Sequence, residues 1–300
     1  MLSFDDFKPI TIDDKELFDR HYRLYPPIHS DNVFTTLVGW KEYADYHFAF
    51  INENLIIYSN INNQIRFRPP LGDFNKDVLD DVLAIAKRQN SDFPFGVVDI
   101  ESKQKISKLY PNIKFIEHRN FFDYVYLSKD LAELSGSSYA KIRNRLNKFI
   151  KNYSYSVEII SEENMREVKE FLKRWCLWKD CESDRFLEYE KKAILYSIDN
   201  FYRLELSGIF IRIEDAIESI AVFEGISKDT AVVHYEKGSP DYDGIYKAIN
   251  QETAKILQNK FKFINRESDM GIPGLRKSKL SYRPHHMIKV FHVDKDNIIM

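Results

Sequence analysis

Apolar and polar positions along the chain follow two rhythms, one of two residues that marks strands and one of about 3.6 residues that marks helices. The first appears in residues 47–51, 55–60 and 65–68, separated by the turn-forming Asn52-Glu53-Asn54 and Asn62-Asn63, and this predicts a three-stranded meander. Residues 13–22 and 30–40 before it read as helices. After it, Val78, Leu79, Val82, Leu83, Ile85 and Ala86 recur at helical spacing within 77–89. A strand at 95–100, a helix at 102–110 stopped by Pro111, and strands at 113–117 and 122–127 complete the first half.

The second half predicts a strand at 156–160, helices at 163–178 and 184–198, and strands at 202–206, 209–213, 219–224 and 230–235. A helix at 244–259 follows, with Ile245, Ala248, Ile249, Ile256 and Leu257 on one face, then a strand at 262–264, a short helix near 273–280 and a strand at 287–293. The same order of elements in both halves predicts two α/β domains of one architecture, 1–128 and 129–300. Between them, residues 135–153 form an amphipathic pattern: Ile142, Leu146, Phe149 and Ile150 share one side, and Lys141, Arg145, Lys148 and Lys151 the other. The second domain therefore opens with a basic helix at about 136–152.

A length of 300 residues fits two domains of about 100–200 residues each. With 44% hydrophobic and 30% charged residues, the chain has enough apolar material to bury, which excludes disorder. No run approaches the roughly 18 apolar residues of a membrane span, and Asp5 and Asp6 stand where a signal peptide needs bases. The expectation is a cytoplasmic protein with no integral membrane segment. Cys176 and Cys181 lie within a helical pattern with no histidine pair nearby, so they read as buried or partly buried thiols and no metal site is expected. His285-His286 likewise lacks carboxylate or cysteine partners at ligand spacing. A formal net charge of −2 excludes a globally basic nucleic-acid binder and directs attention to local patches.

The element order is that of the GNAT acetyltransferase superfamily, and three stretches resemble one family. Asp123-Tyr124-Val125-Tyr126, Asp130-Leu131, Leu134-Ser135-Gly136 and Lys141-Ile142-Arg143-Asn144 make the first. His234-Tyr235-Glu236-Lys237 with the segment 246–252 makes the second. The third and most specific begins Phe263-Ile264-Asn265-Arg266-Glu267-Ser268-Asp269 and runs on to Tyr282. Together they are similar to the C-terminal domain of phosphatidylglycerol lysyltransferases, over about residues 20–293. The resemblance implies a tandem GNAT-like fold related to the Fem-type peptidoglycan aminoacyltransferases. Members joined to a membrane flippase domain move an aminoacyl group from aminoacyl-tRNA to a lipid headgroup. The absence of such a domain from this sequence leaves the expectation of the fold intact and weakens the expectation of a lipid substrate.

Residues 265–269 follow a strand and precede a glycine-bounded turn, where side chains of such sheets meet a ligand crevice. Asn265 suits a carbonyl or amine, Arg266 a carboxylate or phosphate, and Glu267 or Asp269 an ammonium group or a proton. The alternative is a self-satisfied loop, with Arg266 paired to Glu267 or Asp269. His234 and Glu236 alternate on a strand and so share a face. Arg276, Lys277, Lys279 and Arg283, beside Tyr282, form a second basic cluster, which with Lys141, Arg145 and Lys148 would suit a polyanion or remain a solvated face. In a GNAT acetyltransferase the pyrophosphate of coenzyme A rests on the glycine-rich loop opening a helix. Here that place is 241–246, where Asp241, Asp243 and the bulky Tyr246 around Gly244 oppose it.

These residues predict an acyl- or aminoacyl-transferase. Its proton acceptor would be Glu236, Glu267 or Asp269. Its substrate groups would be His234, Gly244, Tyr246, Asn250, Asn265, Arg266, Arg276, Lys277, Lys279 and Tyr282. The donor would be an aminoacyl-tRNA or an acyl-CoA, with a small-molecule acceptor, tRNA as a partner and peripheral contact with a membrane. The alternatives are a non-catalytic small-molecule-binding module of the same fold and an acetyl-CoA-dependent N-acetyltransferase.

Overall fold

The computed structural model describes residues 2–181 and 184–297, and chain contacts divide it into two units. One runs up to Phe122 and regains the chain from Ile288 on; the other is Asp123–Met287. The expected boundary at residue 128 falls elsewhere because the strand 123–127 pairs within the second unit and the last strand returns to the first.

In the first unit β1 (Lys8–Pro9), α1 (Lys15–Leu24), α2 (Phe34–Gly39) and α3 (Lys41–Ala44) lead into the meander β2 (Tyr46–Ile51), β3 (Asn54–Ile61) and β4 (Gln64–Phe67). The four strands form an antiparallel sheet in that order. Its hairpins turn at Asn52-Glu53 and Asn62-Asn63, all with φ between 45° and 63°, the left-handed pair that matches the twist of the strands. Helix α4 (Lys76–Arg88) starts at Asn75, whose side chain caps the Val78 N–H, and buries the six apolar residues its spacing marked. β5 (Phe95–Val98), α5 (Ile100–Leu109) and β6 (Ile116–Glu117) follow.

The second unit runs β7 (Asp123–Leu127), α6 (Ser128–Glu133), α7 (Ala140–Asn152), β8 (Tyr155–Ile159), α8 (Met165–Lys179), α9 (Arg185–Asp199), β9 (Ser207–Ile213), β10 (Ala216–Gly225), β11 (Thr230–Gly238), α10 (Ile245–Leu257), β12 (Phe263–Asn265), α11 (Pro273–Ser281) and β13 (His286–Ile288). Its seven strands are ordered β13-β7-β12-β11-β10-β9-β8. β11 and β12 are parallel, so the chain must cross over between them. Helix α10 is that crossover. Its Ile245, Ala248 and Ile249 join Ile142, Leu146 and Phe149 of α7 and Ile209, Ile211, Ala221 and Val233 of the sheet in one core.

Four expectations are corrected. Residues 202–206 alternate apolar and polar like a strand but form successive turns: Leu204 N–H bonds Asn200 O, Leu206 N–H bonds Phe201 O, and Glu205 is left-handed at φ 56°. The strand expected over 287–293 breaks at Lys289-Val290, so β13 joins the seven-stranded sheet while β14 (Phe291–Val293) lies between β5 and β6 in a three-stranded sheet of the first unit. Ile150, expected on the apolar side of α7, is 49% exposed. Cys176 and Cys181 are joined as a disulfide, Cα to Cα 5.3 Å, because left-handed Asp180 at the end of α8 turns Cys181 back onto it.

Candidate active site

The segment 265–269 leaves β12 and turns sharply, with Glu267 at φ 57°, Met270 at 50° and Gly271 at 78°. Most of its polar side chains build that turn. Buried Asn265 donates to Asp123 Oδ2 at 2.8 Å and accepts the Glu267 N–H at 2.8 Å. Asp269, fully buried, accepts from Tyr124 Oη at 2.5 Å, Gly271 N at 2.8 Å, and Arg276 Nε and Nη2 at 2.9 and 2.8 Å. Against the penalty of burial, Arg276, Tyr124 and the Gly271 amide hold its carboxyl well below the usual carboxylate range. A carboxylate so engaged does not take up a proton near neutrality, which corrects Asp269 as a proton acceptor and uses up Arg276 as a substrate group. Lys279 Nζ enters the same turn, donating to the carbonyls of Arg266, Glu267 (3.0 Å) and Ser268 (2.7 Å). Burial and the nearby Arg266 pull it down to about 8. Lys279 and Asn265 are thus braces of the turn, not ligand groups.

The turn presents Arg266 to Glu236 of β11. Glu236 Oε2 accepts from Arg266 Nε at 3.1 Å and from Nη2, and its Oε1 accepts from Asn250 Nδ2 of α10 at 3.1 Å. The guanidinium stands 5.0 Å from the Tyr282 ring and 5.9 Å from that of Tyr126, a favourable placement for a cation on π-faces. Lys247, one helical turn before Asn250, sets Nζ 4.6 Å from the centre of the Tyr282 ring. Burial, with Arg266 and Arg145 as like charges, pulls its amine down to about 8. Three polar atoms of this group are buried without a hydrogen-bond partner: Arg266 Nη1, Asn250 Oδ1 and Tyr282 Oη. Buried polar atoms are nearly always paired, and here a donor, an acceptor and a hydroxyl are open within one group.

Beside this group His234 lies between two acids, Nδ1 2.9 Å from Glu267 Oε1 and Nε2 2.8 Å from Glu224 Oε1. Burial opposes its charge, but the two carboxylates outweigh that and raise the imidazole to about 9. Burial pushes the Glu267 carboxyl up while the bond to His234 draws it down, so Glu267 is engaged as the partner of His234. The outer candidates are dispersed. Lys277 and Lys141 are exposed, while Arg145 and Lys148 both reach Asp243, at 3.2 and 3.3 Å. Gly244, at φ 100°, begins α10 hard against α7: a Cβ there would stand 2.9 Å from Phe149 Cβ and 3.0 Å from Arg145 O. Tyr246 bonds the Gly238 carbonyl at 3.3 Å.

Sequence reading missed Lys247, Tyr126 and Glu224. Lys247 carried a usable signal, since i and i+3 on a helix share a face and Asn250 was already a candidate. Tyr126 and Glu224 meet the site only through strand pairing.

The second unit is thus an α/β fold, a seven-stranded mixed sheet with a parallel crossover at its centre and an open polar group beside it. The family of phosphatidylglycerol lysyltransferase C-terminal domains matches residues 22–293, and the chain belongs to it. A conserved protein of unknown function from Bacteroides thetaiotaomicron VPI-5482 is 29% identical, with 96% of this chain and 98% of that one superposed at a TM-score of 0.89. The L-PGS of Bacillus licheniformis shares the fold at 13% identity, a TM-score of 0.67 and coverage of 95% and 93%. An uncharacterised protein of Mycoplasmoides gallisepticum is 27% identical over 183 residues, 59% of this chain and 58% of that protein's length. Among the described residues no helix is long and apolar enough to cross a membrane. Family membership points to an acyl- or aminoacyl-transferase.

Proposed function

We propose that the second unit transfers an acyl or aminoacyl group from an activated ester to an amine or hydroxyl, at the group formed by Glu236, Arg266, Asn250, Tyr282 and Lys247. The observation that carries this reading is the set of three unpaired buried atoms. Arg266 Nη1 and Tyr282 Oη are donors suited to the ester oxygen as it gains negative charge, and fixed donors of this kind contribute most where water is excluded. Asn250 Oδ1 and the Glu236 carboxylate accept from an amine and hold it for attack. Lys247, with its amine near 8, takes the proton released as the new bond forms and returns it to the departing oxygen. Family membership favours an aminoacyl-tRNA as donor, with exposed Lys141 and Lys277 available to its phosphates. The crowding at Gly244 argues against the pyrophosphate of coenzyme A.

The test is turnover of charged tRNA pools and acyl-CoA mixtures by the wild type and by Tyr282→Phe, which removes one open hydroxyl and no existing hydrogen bond. Loss of one oxyanion donor lowers kcat by about 10²–10³, at unchanged melting temperature. Wild-type turnover should rise with pH through about 8, as Lys247 loses its proton. Tight binding of a small amine or amino acid with no turnover of any donor would instead establish a non-catalytic module.

A further inference from the structure

The first unit holds a buried cation with neutral hydrogen-bond partners. Arg68 follows the last residue of β4 and donates its backbone N–H to Ile57 O at 2.9 Å. Pro69 after it confines its backbone to extended conformations, so the side chain has a fixed origin. Arg68 is 5% exposed and is the only arginine so buried among the described residues. Its Nη1 donates to Asn32 Oδ1 at 2.5 Å and its Nη2 to Tyr46 Oη at 3.3 Å, with the Tyr46 ring centre 5.2 Å from the guanidinium carbon. Asn32 is itself held, its carbonyl accepting from Tyr22 Oη at 2.5 Å.

The other enclosed cations are compensated differently. Arg266 pairs with Glu236, Arg276 with Asp269 and Lys237 with Glu190, whereas Lys279 is ringed by three carbonyls. Asp31, whose charge reaches Tyr46, has its carboxylate 3.9 Å from His29 Nδ1 and makes no ion pair with Arg68. Withdrawing a guanidinium from water costs more than two hydrogen bonds to neutral oxygens return. The charge is left uncompensated by its neutral partners, so the arginine implies a negative charge that it meets in use.

We propose that Arg68, oriented by Asn32 and Tyr46 as positioning residues, is the anchor of an oxyanion-binding subsite in the first unit. The two bonds to Asn32 and Tyr46 leave other N–H groups of the guanidinium fork available, and that fork matches the paired oxygens of a carboxylate or a phosphate. This inference does not rest on the transferase reading of the second unit.

The full chain is melted in chloride buffer at constant ionic strength while inorganic phosphate, or separately acetate, replaces chloride. The wild type should gain a saturable rise of several degrees with the preferred anion, as a ligand of the folded state requires. The anion giving the larger rise distinguishes phosphate from carboxylate. Arg68→Met should lose that rise, whatever its melting temperature in chloride alone. Arg68→Lys, which keeps the charge and loses the fork, should need about tenfold more anion. Equal rises in the wild type and Arg68→Met would reduce the effect to a general salt response and overturn the proposal. So would an Arg68→Met that melts lower by the same amount with and without anion, the behaviour of a purely structural tie. Should Arg68→Met fail to fold, an Arg68→Lys titration identical to that of the wild type would be equally fatal.

Discussion

His234 carries its charge because two carboxylates bracket it, and this sets a pH dependence that belongs to one residue. Its imidazole is raised to about 9 in the folded protein, against about 6.5 in the unfolded chain. The stabilisation is therefore complete below about 6.5 and is lost as pH rises through about 9, amounting to roughly 3 kcal/mol. Denaturant unfolding at pH 6.5 and 9.5 should show that loss in the wild type and a flatter profile in His234→Gln, which is also less stable at pH 6.5. Parallel profiles would mean that the histidine is neutral between its acids. At this scale the sequence marked the segment of the proposed site better than which of its side chains face it. The segment 265–269 was legible as special, yet Asn265 and Asp269 point into the turn and Arg266 points out of it, a choice made by left-handed Glu267 and Met270, which residue spacing does not encode. Glu236 and Asn250 were legible one at a time. Their meeting required β11 and α10 to be laid side by side.

Helix α10 shows what elements add. It bridges the parallel strands β11 and β12, carries Lys247 and Asn250 into the proposed site, and sets its N-cap, Gly244, against α7. Gly244 makes that contact: its φ of 100° suits glycine, and an added Cβ would meet Arg145 O and Phe149 Cβ at 3.0 and 2.9 Å. Gly244→Ala should therefore cost about 1–3 kcal/mol, read as a lower denaturation midpoint at unchanged slope; an effect within about 0.3 kcal/mol would show that α7 yields freely. Helices and hairpins were the most legible elements, because caps such as Asn75, turns such as Asn62-Asn63 and a six-residue apolar face on α4 are local signals. The failures at 202–206 and 287–293 share one cause: a pattern of apolar residues reports which side chains suit a core, not whether the backbone has a neighbour to bond. At 202–206 it bonds itself. At Lys289-Val290 it leaves one sheet for another.

At the scale of the whole molecule, the two units depend differently on chain order. The second is continuous, Asp123–Met287, with the six strands β7 to β12 of its sheet inside that range. The first is not, because β14 is the middle strand of β5-β14-β6. Phe291 pairs across to both Val98 and Glu117, and Phe291 and Val293 are buried at 4% and 0% in the same core as Phe95, Val98 and Leu83. Losing β14 removes both ladders and two large apolar side chains, each worth about 1.5–3 kcal/mol of burial, and leaves β5 and β6 as unpaired edges. Losses of that sum approach the whole stability of a small domain. A fragment of residues 123–287 should therefore melt cooperatively by itself. A fragment of residues 1–122 should not, and should regain a cooperative transition when residues 288–300 are supplied through a flexible linker. Circular dichroism melts of the three proteins decide it. Cooperative melting of 1–122 alone would mean that the four-stranded sheet with α4 holds the first core without β14.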